Sequence, residues 1–514
     1  MSQDIAVSYS ARLRSLAAAR RDGEAIRFLA RDGSERSVSW AGLDDLVERL
    51  GHGMAARGVG QGDVVGIALG NLVEHLALAL AVWRLGATTL VLDPAIPAEA
   101  AAALRSRSGA RLIVGMGGPA ANLDAANLDA GDRNVGDLDV GALIRAGADP
   151  QTALPDLVPN PGKIVMSGGS TGLPKLMCDR RPHARIPGAS WGRIAPALGF
   201  RADQTQLVCA ALSHNAPFTW AQNGLFEGNR LVLMERFDAA AALRAIDRLG
   251  VGFIMLVPTM MARLYAADQG EPARFDRLHT LYHTGAPCPA WLKRAWIDRL
   301  GPGRVSEMYG SGENTGQTVI TGGEWLARPG SVGQGFETDI RIYAGDDRLQ
   351  PAGQAGEIFM RPHDLAGRSE YMGTPAPVAR RDGDGFQSIG DSGWLDEAGY
   401  LYLGGRCDDV INSGGVKLHP EAIEAVLLQH PEVIDVAVFG VADDEWGQRV
   451  TAAVVLAEGA VLAPAALATF ARSRLTPEEV PKEWRLVTQL PRDGFGKLRR
   501  KALMQAGALP GRAG

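Results

Sequence analysis

Apolar runs and turn signals alternate regularly over the first third of the chain. Leu43, Leu46, Val47, Leu50 and Met54 recur at helical spacing, and Gly58 follows as a stop. Residues 64–69 make a short apolar run of strand length, and residues 73–85 a longer one of helix length ending at Gly86. A further strand-like run, 88–92, precedes Pro94 and Pro97; an Ala-rich helical stretch then leads to a strand at 111–114. Continuous apolar strands separated by helices predict a mainly parallel, doubly wound sheet. The pattern lapses over 117–160, which is poor in large apolar side chains and carries Ala-Asn-Leu-Asp-Ala twice in tandem (121–125 and 126–130). That stretch reads as an expanded surface loop. From Lys163 the alternation resumes, with a strand at 231–234, a helix capped by Asp238 and a strand at 253–257.

After Gly330 the character changes. Short strands at 339–343, 356–360 and 400–403, set between Gly, Pro and Asp turns, predict a small antiparallel region. Beyond Arg406 come a helix at 420–429, strands at 433–441 and 450–456, and a helix near 464–474. The expected fold is α/β: a large N-terminal domain, residues 1–407, with doubly wound mixed sheets plus the antiparallel region, and a small α+β C-terminal domain, residues 408–514.

At 514 residues the chain is too long for one core. A hydrophobic share of 46%, a charged share of 22% and a net charge of -5 describe an ordinary soluble protein, and give no reason to expect nucleic acid or an anionic membrane as partner. Cys178, Cys209, Cys288 and Cys407 form no Cys-x-x-Cys pair, so neither zinc nor a disulfide framework is expected; reduced thiols in the cytoplasm are. The Arg-rich stretch 11–21 has some look of a transit peptide but is taken as an amphipathic first helix. The apolar run 76–83 stops at Arg84, too short for a membrane span. Of 53 basic residues only seven are lysines, at 163, 175, 293, 417, 482, 497 and 501. Arg is the routine cation here, so a Lys inside a motif is a marked choice.

The most informative stretch runs from Lys163 to Lys175. A strand leads into Ser167-Gly168-Gly169-Ser170-Thr171-Gly172, followed by Leu173, Pro174 and Lys175. Glycines let backbone N–H groups approach an anion, the hydroxyls add donors and Lys175 adds a cation: together a loop that wraps a polyphosphate. It lacks the Gly-x-x-x-x-Gly-Lys-Ser/Thr order of a Walker A loop. Residues 168–172 also fit Gly-x-Ser-x-Gly, the nucleophile elbow of serine hydrolases, with Ser170 as nucleophile. That alternative is disfavoured, because Pro174 and the polar stretch 179–183 make a poor following helix and no His-Gly-Gly-Gly segment occurs.

The loop resembles the Ser-Gly-Thr-Thr-Gly-x-Pro-Lys signature of the adenylate-forming superfamily, which includes acyl-CoA synthetases, firefly luciferases and peptide-synthetase adenylation domains. Other segments extend the resemblance in family order, from about residue 30 to 505. Gly285-Ala286-Pro287 is similar to the turn beside the adenine and acyl pockets. Tyr309-Gly310-Ser311-Gly312-Glu313 resembles the Tyr-Gly-x-Thr-Glu segment, which implies that Tyr309 stacks on adenine and Glu313 helps hold Mg2+; Gly312 departs from the usual hydroxyl, for which Ser311 is a partial substitute. Gly390-Asp391 resembles the motif whose Asp accepts from both ribose hydroxyls. Residues 405–417 resemble the hinge motif, with Arg406 on the nucleotide, Asp408 as pivot, Gly414 and Gly415 along the pantetheine path, and Lys417 among the motif's lysines. Residues 491–500 match the C-terminal motif whose lysine, here Lys497, reaches the α-phosphate and acyl oxygens. Taken singly, each segment is an ordinary turn or tail.

The resemblance implies two half-reactions. A carboxylic acid and ATP·Mg2+ give acyl-AMP and pyrophosphate; the mobile C-terminal domain then turns about Asp408, removes Lys497 and admits a thiol. No carrier-protein serine motif follows Lys497, so coenzyme A is the expected acceptor, with a carrier protein or an amine as alternative and a degenerate nucleotide-binding protein as a third reading. Residues 212–218 lack the Asp that amino-acid-adenylating relatives use, and His214 stands where acyl-CoA synthetases often carry a gate. Gly169, Arg180-Arg-Pro-His183 and residues 223–228 resemble bile-acid and steroid-side-chain CoA ligases, which implies a bulky apolar, steroid-like, aromatic or fatty acid. Met260, Met261 and Trp220 are the candidate pocket lining, two of the three being expected in ordinary core. A homodimer is compatible with all of this.

Overall fold

The computed structural model of the chain describes residues 5–115, 138–148, 152–166, 175–268, 270–372, 380–457, 459–492, 498 and 500–505. The tandem repeat at 121–130 lies outside them. Three large sheets organise the described residues, beside a two-stranded pair of Val7–Ser8 with Ala184–Arg185. In the first, strands Lys163–Met166, Thr88–Val91, Val64–Ile67, Ala110–Gly115 and Leu138–Asp139 run parallel, and Leu176–Cys178 and Glu370–Met372 add an antiparallel edge. The second, of 13 strands, has a parallel block of Glu24–Leu29, Arg230–Met234, Thr205–Val208, Phe253–Leu256, Thr280–His283 and Val305–Gly310.

The antiparallel strands expected after Gly330 are present within the larger part. They continue the second sheet through Gln317–Thr321 and Ser331–Gly335 to Leu401–Arg406, Gln387–Leu395, Gly356–Pro362 and Thr338–Tyr343. Chain reversal at Gly310 lets the next strand pair with the one before it, so one ladder carries both senses.

Two helices lie between the sheets. Helix Val73–Arg84 buries every residue except Glu74, as an all-round apolar helix must. Helix Asn215–Phe226 lies beside it, and Gln222 Nε2 donates to the Leu76 carbonyl at 3.3 Å. One core joins Val65 and Ile67 of the first sheet, Leu76 and Leu80, Phe218 and Leu225, and Ile26 and Leu231 of the second. The stretch 117–160 is more than a loop: helix Val140–Ala146 buries Leu143 against helix Trp40–Ala55. A Cβ at Gly53 would stand 2.3 Å from the Leu143 carbonyl oxygen, so a glycine is what permits the contact. At seven residues the helix is too short to show a repeating period.

Residues after Arg406 build a third sheet, the hairpin Val433–Asp443 and Gly447–Leu456 with Ile411–Ser413, Val416–Leu418 and Glu483–Leu486. It packs helices Pro420–Leu427 and Pro464–Arg472 on its own core. Arg500 ties this unit internally, pairing with Asp409, Glu421 and Glu424 at 2.9, 2.7 and 2.8 Å. Among the described residues no helix is long and apolar enough to cross a membrane, and all four cysteines are free thiols.

Arg84, where the apolar run stops, is fully buried. A buried guanidinium must be paired, and it meets Asp44 at 2.5 Å, Glu48 at 2.6 Å and Asp156 at 3.3 Å. Replacing Arg84 by Met leaves three clustered carboxylates without their cation and is expected to cost about 3 kcal/mol in urea unfolding. The same cluster sets an acid limit. Burial raises the Glu48 carboxyl, but the Leu154 N–H, Arg84 and Arg14 outweigh it and hold it below its ordinary 4.5. Its contribution is therefore present above pH 4.5 and lost as pH falls through the folded value. Unfolding midpoints followed from pH 7 to pH 3 are expected to drop less steeply in Glu48→Gln than in the parent.

Candidate functional site

Parallel strands present their following loops at one edge, where α/β proteins bind ligands. Here both parallel blocks end at the same edge. The buried carboxamide of Asn71, just past strand Val64–Ile67, donates to the carbonyls of Ala210 and Met234 at 3.0 and 3.1 Å and accepts from Leu212 N at 2.8 Å. It thereby fastens the end of one sheet to two strand ends of the other. Its signal in the sequence is a lone Asn in an apolar context, and no motif marks it.

Residues 167–174, with Ser167, Gly168, Gly169, Ser170, Thr171 and Gly172, lie outside the described residues, as does Lys497. Their flanks are placed. Lys163, at the root of the strand that leads into the loop, donates to Asn215 Oδ1 at 2.7 Å and Thr219 Oγ1 at 2.5 Å. Burial, with Arg185 beside it, pulls this ammonium down to about 7 against the pull of Asp179. These contacts join the loop strand to the helix that starts just after His214, which occupies the helix N-cap without a side-chain capping bond.

On the far side of the loop Lys175 is exposed, its Nζ 5.5 Å from the centroid of the Tyr371 ring. The Tyr371 hydroxyl donates to Glu313 Oε1 at 2.9 Å. Burial and the Glu313 charge both raise that phenol's pKa, so it stays a neutral donor. Tyr371 was missed in the sequence because it pairs with nothing nearby along the chain. Gly312 has a steric setting: a Cβ there would meet the Met177 methyl at 3.3 Å. Ser311 is not idle either, since its hydroxyl lies 3.0 Å from that of the buried Thr315.

The turn holding Gly285, Ala286 and Pro287 follows strand Thr280–His283, with Gly285 at φ 89°. Thr284 Oγ1 donates to the Met308 carbonyl at 2.8 Å, which joins this turn to the strand carrying Tyr309 and Gly310. Beneath them Lys293, Glu307 and His283 are buried together, and burial pulls His283 down to about 4 despite Glu307. Tyr309 donates to Asp391 Oδ2 at 2.5 Å, and Arg406 binds Asp391 Oδ1 at 2.8 Å. Burial, then the charge of Asp391, puts the Tyr309 phenol well above its usual value. Both Asp391 oxygens thus already have partners, so a ribose there would share them; a carboxylate has lone pairs to spare.

Other predicted residues are not brought to this cleft. Asp408 is exposed in the short turn Cys407–Asp409. Gly414, Gly415 and Lys417 are exposed on the hairpin of the C-terminal unit. Gly414 has φ 58°, and a Cβ there would sit 3.0 Å from the Trp446 ring. Met261 is ordinary core, Met260 is partly buried, and Trp220 packs among Trp191, Phe200, Phe253 and Tyr282.

A model of the AMP-binding enzyme family matches residues 13–367, and one of its C-terminal domain matches residues 422–497. The chain belongs to the AMP-binding enzyme family. It is 30% identical over 490 residues to a 2-succinylbenzoate–CoA ligase of Geobacillus kaustophilus, covering 93% of this chain and 94% of that one. It is 26% identical over 490 residues to a 4-chlorobenzoate–CoA ligase of an Arthrobacter species, covering 92% and 90%. The structure of an o-succinylbenzoate CoA synthetase of Bacillus subtilis in complex with its acyl-adenylate intermediate has the same fold, with TM-score 0.80, 24% identity, and 98% and 99% of the two chains covered. This AMP-binding enzyme is of the acyl-CoA synthetase type, and the serine-hydrolase reading is dropped. Replacing Asn71 by Ala is expected to cost the enzyme about 2–3 kcal/mol in denaturant unfolding, because the Leu212 N–H and two carbonyls lose a buried partner.

Proposed function

We propose that the enzyme activates an aromatic carboxylic acid as its acyl-AMP and transfers the acyl group to coenzyme A. The observation that carries the reading is the pair of contacts Lys175–Tyr371–Glu313 and Tyr309–Asp391–Arg406, on turns that meet at one edge of two sheets. The relatives' aromatic acids support the substrate class.

The residues divide the work as follows. Residues 167–175 hold the β- and γ-phosphates, the turn 285–287 and Tyr309 enclose the adenine, and Asp391 with Arg406 fixes the ribose. An acid oxygen attacks the α-phosphorus while the bond to pyrophosphate breaks. Lys497 faces the negative charge that develops there, an electrostatic effect worth on the order of a hundred- to a thousandfold. Among the described residues no three acids, histidines or cysteines are grouped to hold a metal. That suits Mg2+, which binds through one or two carboxylates plus substrate phosphates, and Glu313 is the carboxylate in place. When bound, Mg2+ neutralises phosphate charge. The C-terminal domain, taken to begin at Asp408, then turns about that residue; a thiolate arriving past Gly414, Gly415 and Lys417 attacks the acyl carbonyl beside His214, and AMP leaves.

The test is ATP, Mg2+ and a panel of benzoates, bile acids, steroid side-chain acids and fatty acids, with and without CoA, analysed for AMP, pyrophosphate and thioester. A CoA thioester from benzoates, with adenylation lost in Lys497→Ala, is expected. Thioesters from steroid acids alone would overturn the substrate class. Acyl-AMP without thioester would move the acceptor to a carrier protein or an amine.

A further inference from the structure

We infer that Tyr371 is a positioning residue for adenylation, one that aims the Glu313 carboxylate at the nucleotide-bound metal and spans the two sheets on which the site is built. The inference rests on the roles proposed above for Glu313 and Lys175. Strand Glu370–Met372 pairs with Leu176–Cys178 in the register Tyr371↔Met177, directly after Lys175 on the edge of the first sheet. From there the Tyr371 hydroxyl crosses to Glu313, which follows strand Val305–Gly310 of the second sheet.

The segment around it is fastened on both sides. Ser369 N donates to the Glu313 carbonyl at 3.0 Å, and the Asn314 side chain donates to the Gly367 carbonyl. On the first-sheet side Arg181 bridges Asp179 and Asp364 at 2.7 and 2.8 Å, and Arg180 pairs with Glu370 at 2.8 Å. A rigid ring held this way delivers its O–H at one fixed reach. Among the described residues it supplies the one hydrogen bond to the Glu313 carboxylate, and it does so to Oε1, which leaves Oε2 for a cation. A phenol suits the task because it donates without bringing a positive charge, so the carboxylate keeps its own for the metal. The same ring faces the Lys175 ammonium, and one side chain thus registers the cation after the phosphate loop against the carboxylate of the opposite sheet.

Tyr371→Phe keeps the ring and the strand and removes only the hydroxyl. ATP affinity is to be measured by calorimetry with and without Mg2+, alongside the thermal midpoint, for the parent, Tyr371→Phe, Glu313→Gln and the double variant. Tyr371→Phe is expected to keep its midpoint and its affinity for metal-free ATP, and to lose about tenfold of the affinity gained on adding Mg2+. In the Glu313→Gln background it is expected to change nothing further. An unaltered Mg2+ increment in Tyr371→Phe, or a loss that adds in full to that of Glu313→Gln, would overturn the inference. If Glu313→Gln itself keeps the full increment, the reading of Glu313 fails first, and this inference with it.

Discussion

The site depends on two parallel sheets ending at the same edge, and one buried carboxamide secures that alignment. Asn71 bonds backbone groups of two separate segments, Ala210 and Leu212 in one and Met234 in the other. Helices Val73–Arg84 and Asn215–Phe226 start just beyond those points and are buried between the sheets. A helix apolar on all sides has no stable place except between two layers, so the sheets are held apart by about a helix diameter while their strand ends stay in register. The strands carrying Lys163, Tyr309, Asp391 and Arg406 belong to that frame.

Within it, the site carboxylates are held by one or two partners each, which leaves them lone pairs. Asp391 sits between a phenol and a guanidinium, and Glu313 accepts from a phenol alone. Where charge is used for structure the pattern differs: Arg84 is neutralised by three acids and Lys293 by buried Glu307. The contrast is physical. Structural charges in a core must be balanced on the spot, whereas a binding site needs carboxylates and cations left with capacity for ligand.

The C-terminal unit has its own core and its own buried acid–guanidinium knot at Arg500. Its described contacts with the larger part are local ones, such as Gly405 against Glu421 and Ser392 near His419.

The sequence by itself determined the elements and the family. Continuous apolar runs placed the strands at 64–67, 88–91 and 253–256 and the helix at 73–84 within a residue or two, because burial on all sides leaves a local signature. The motifs around Lys175, Tyr309, Asp391, Arg406 and Lys497, in family order, marked the family, because such motifs constrain residue type at fixed spacing. What spacing cannot carry is contact between residues far apart in the chain. Helix Val140–Ala146 was illegible because it is only seven residues long, too short for its stripe of Val140, Leu143 and Ile144 to repeat. The merging of the antiparallel strands into the parallel sheet, the partners of Asp391, the stitch at Asn71 and the reach of Tyr371 across two sheets were decided by tertiary structure alone. Each depends on which strand edges lie side by side, and that is set by the packing of whole layers rather than by any local run of residues.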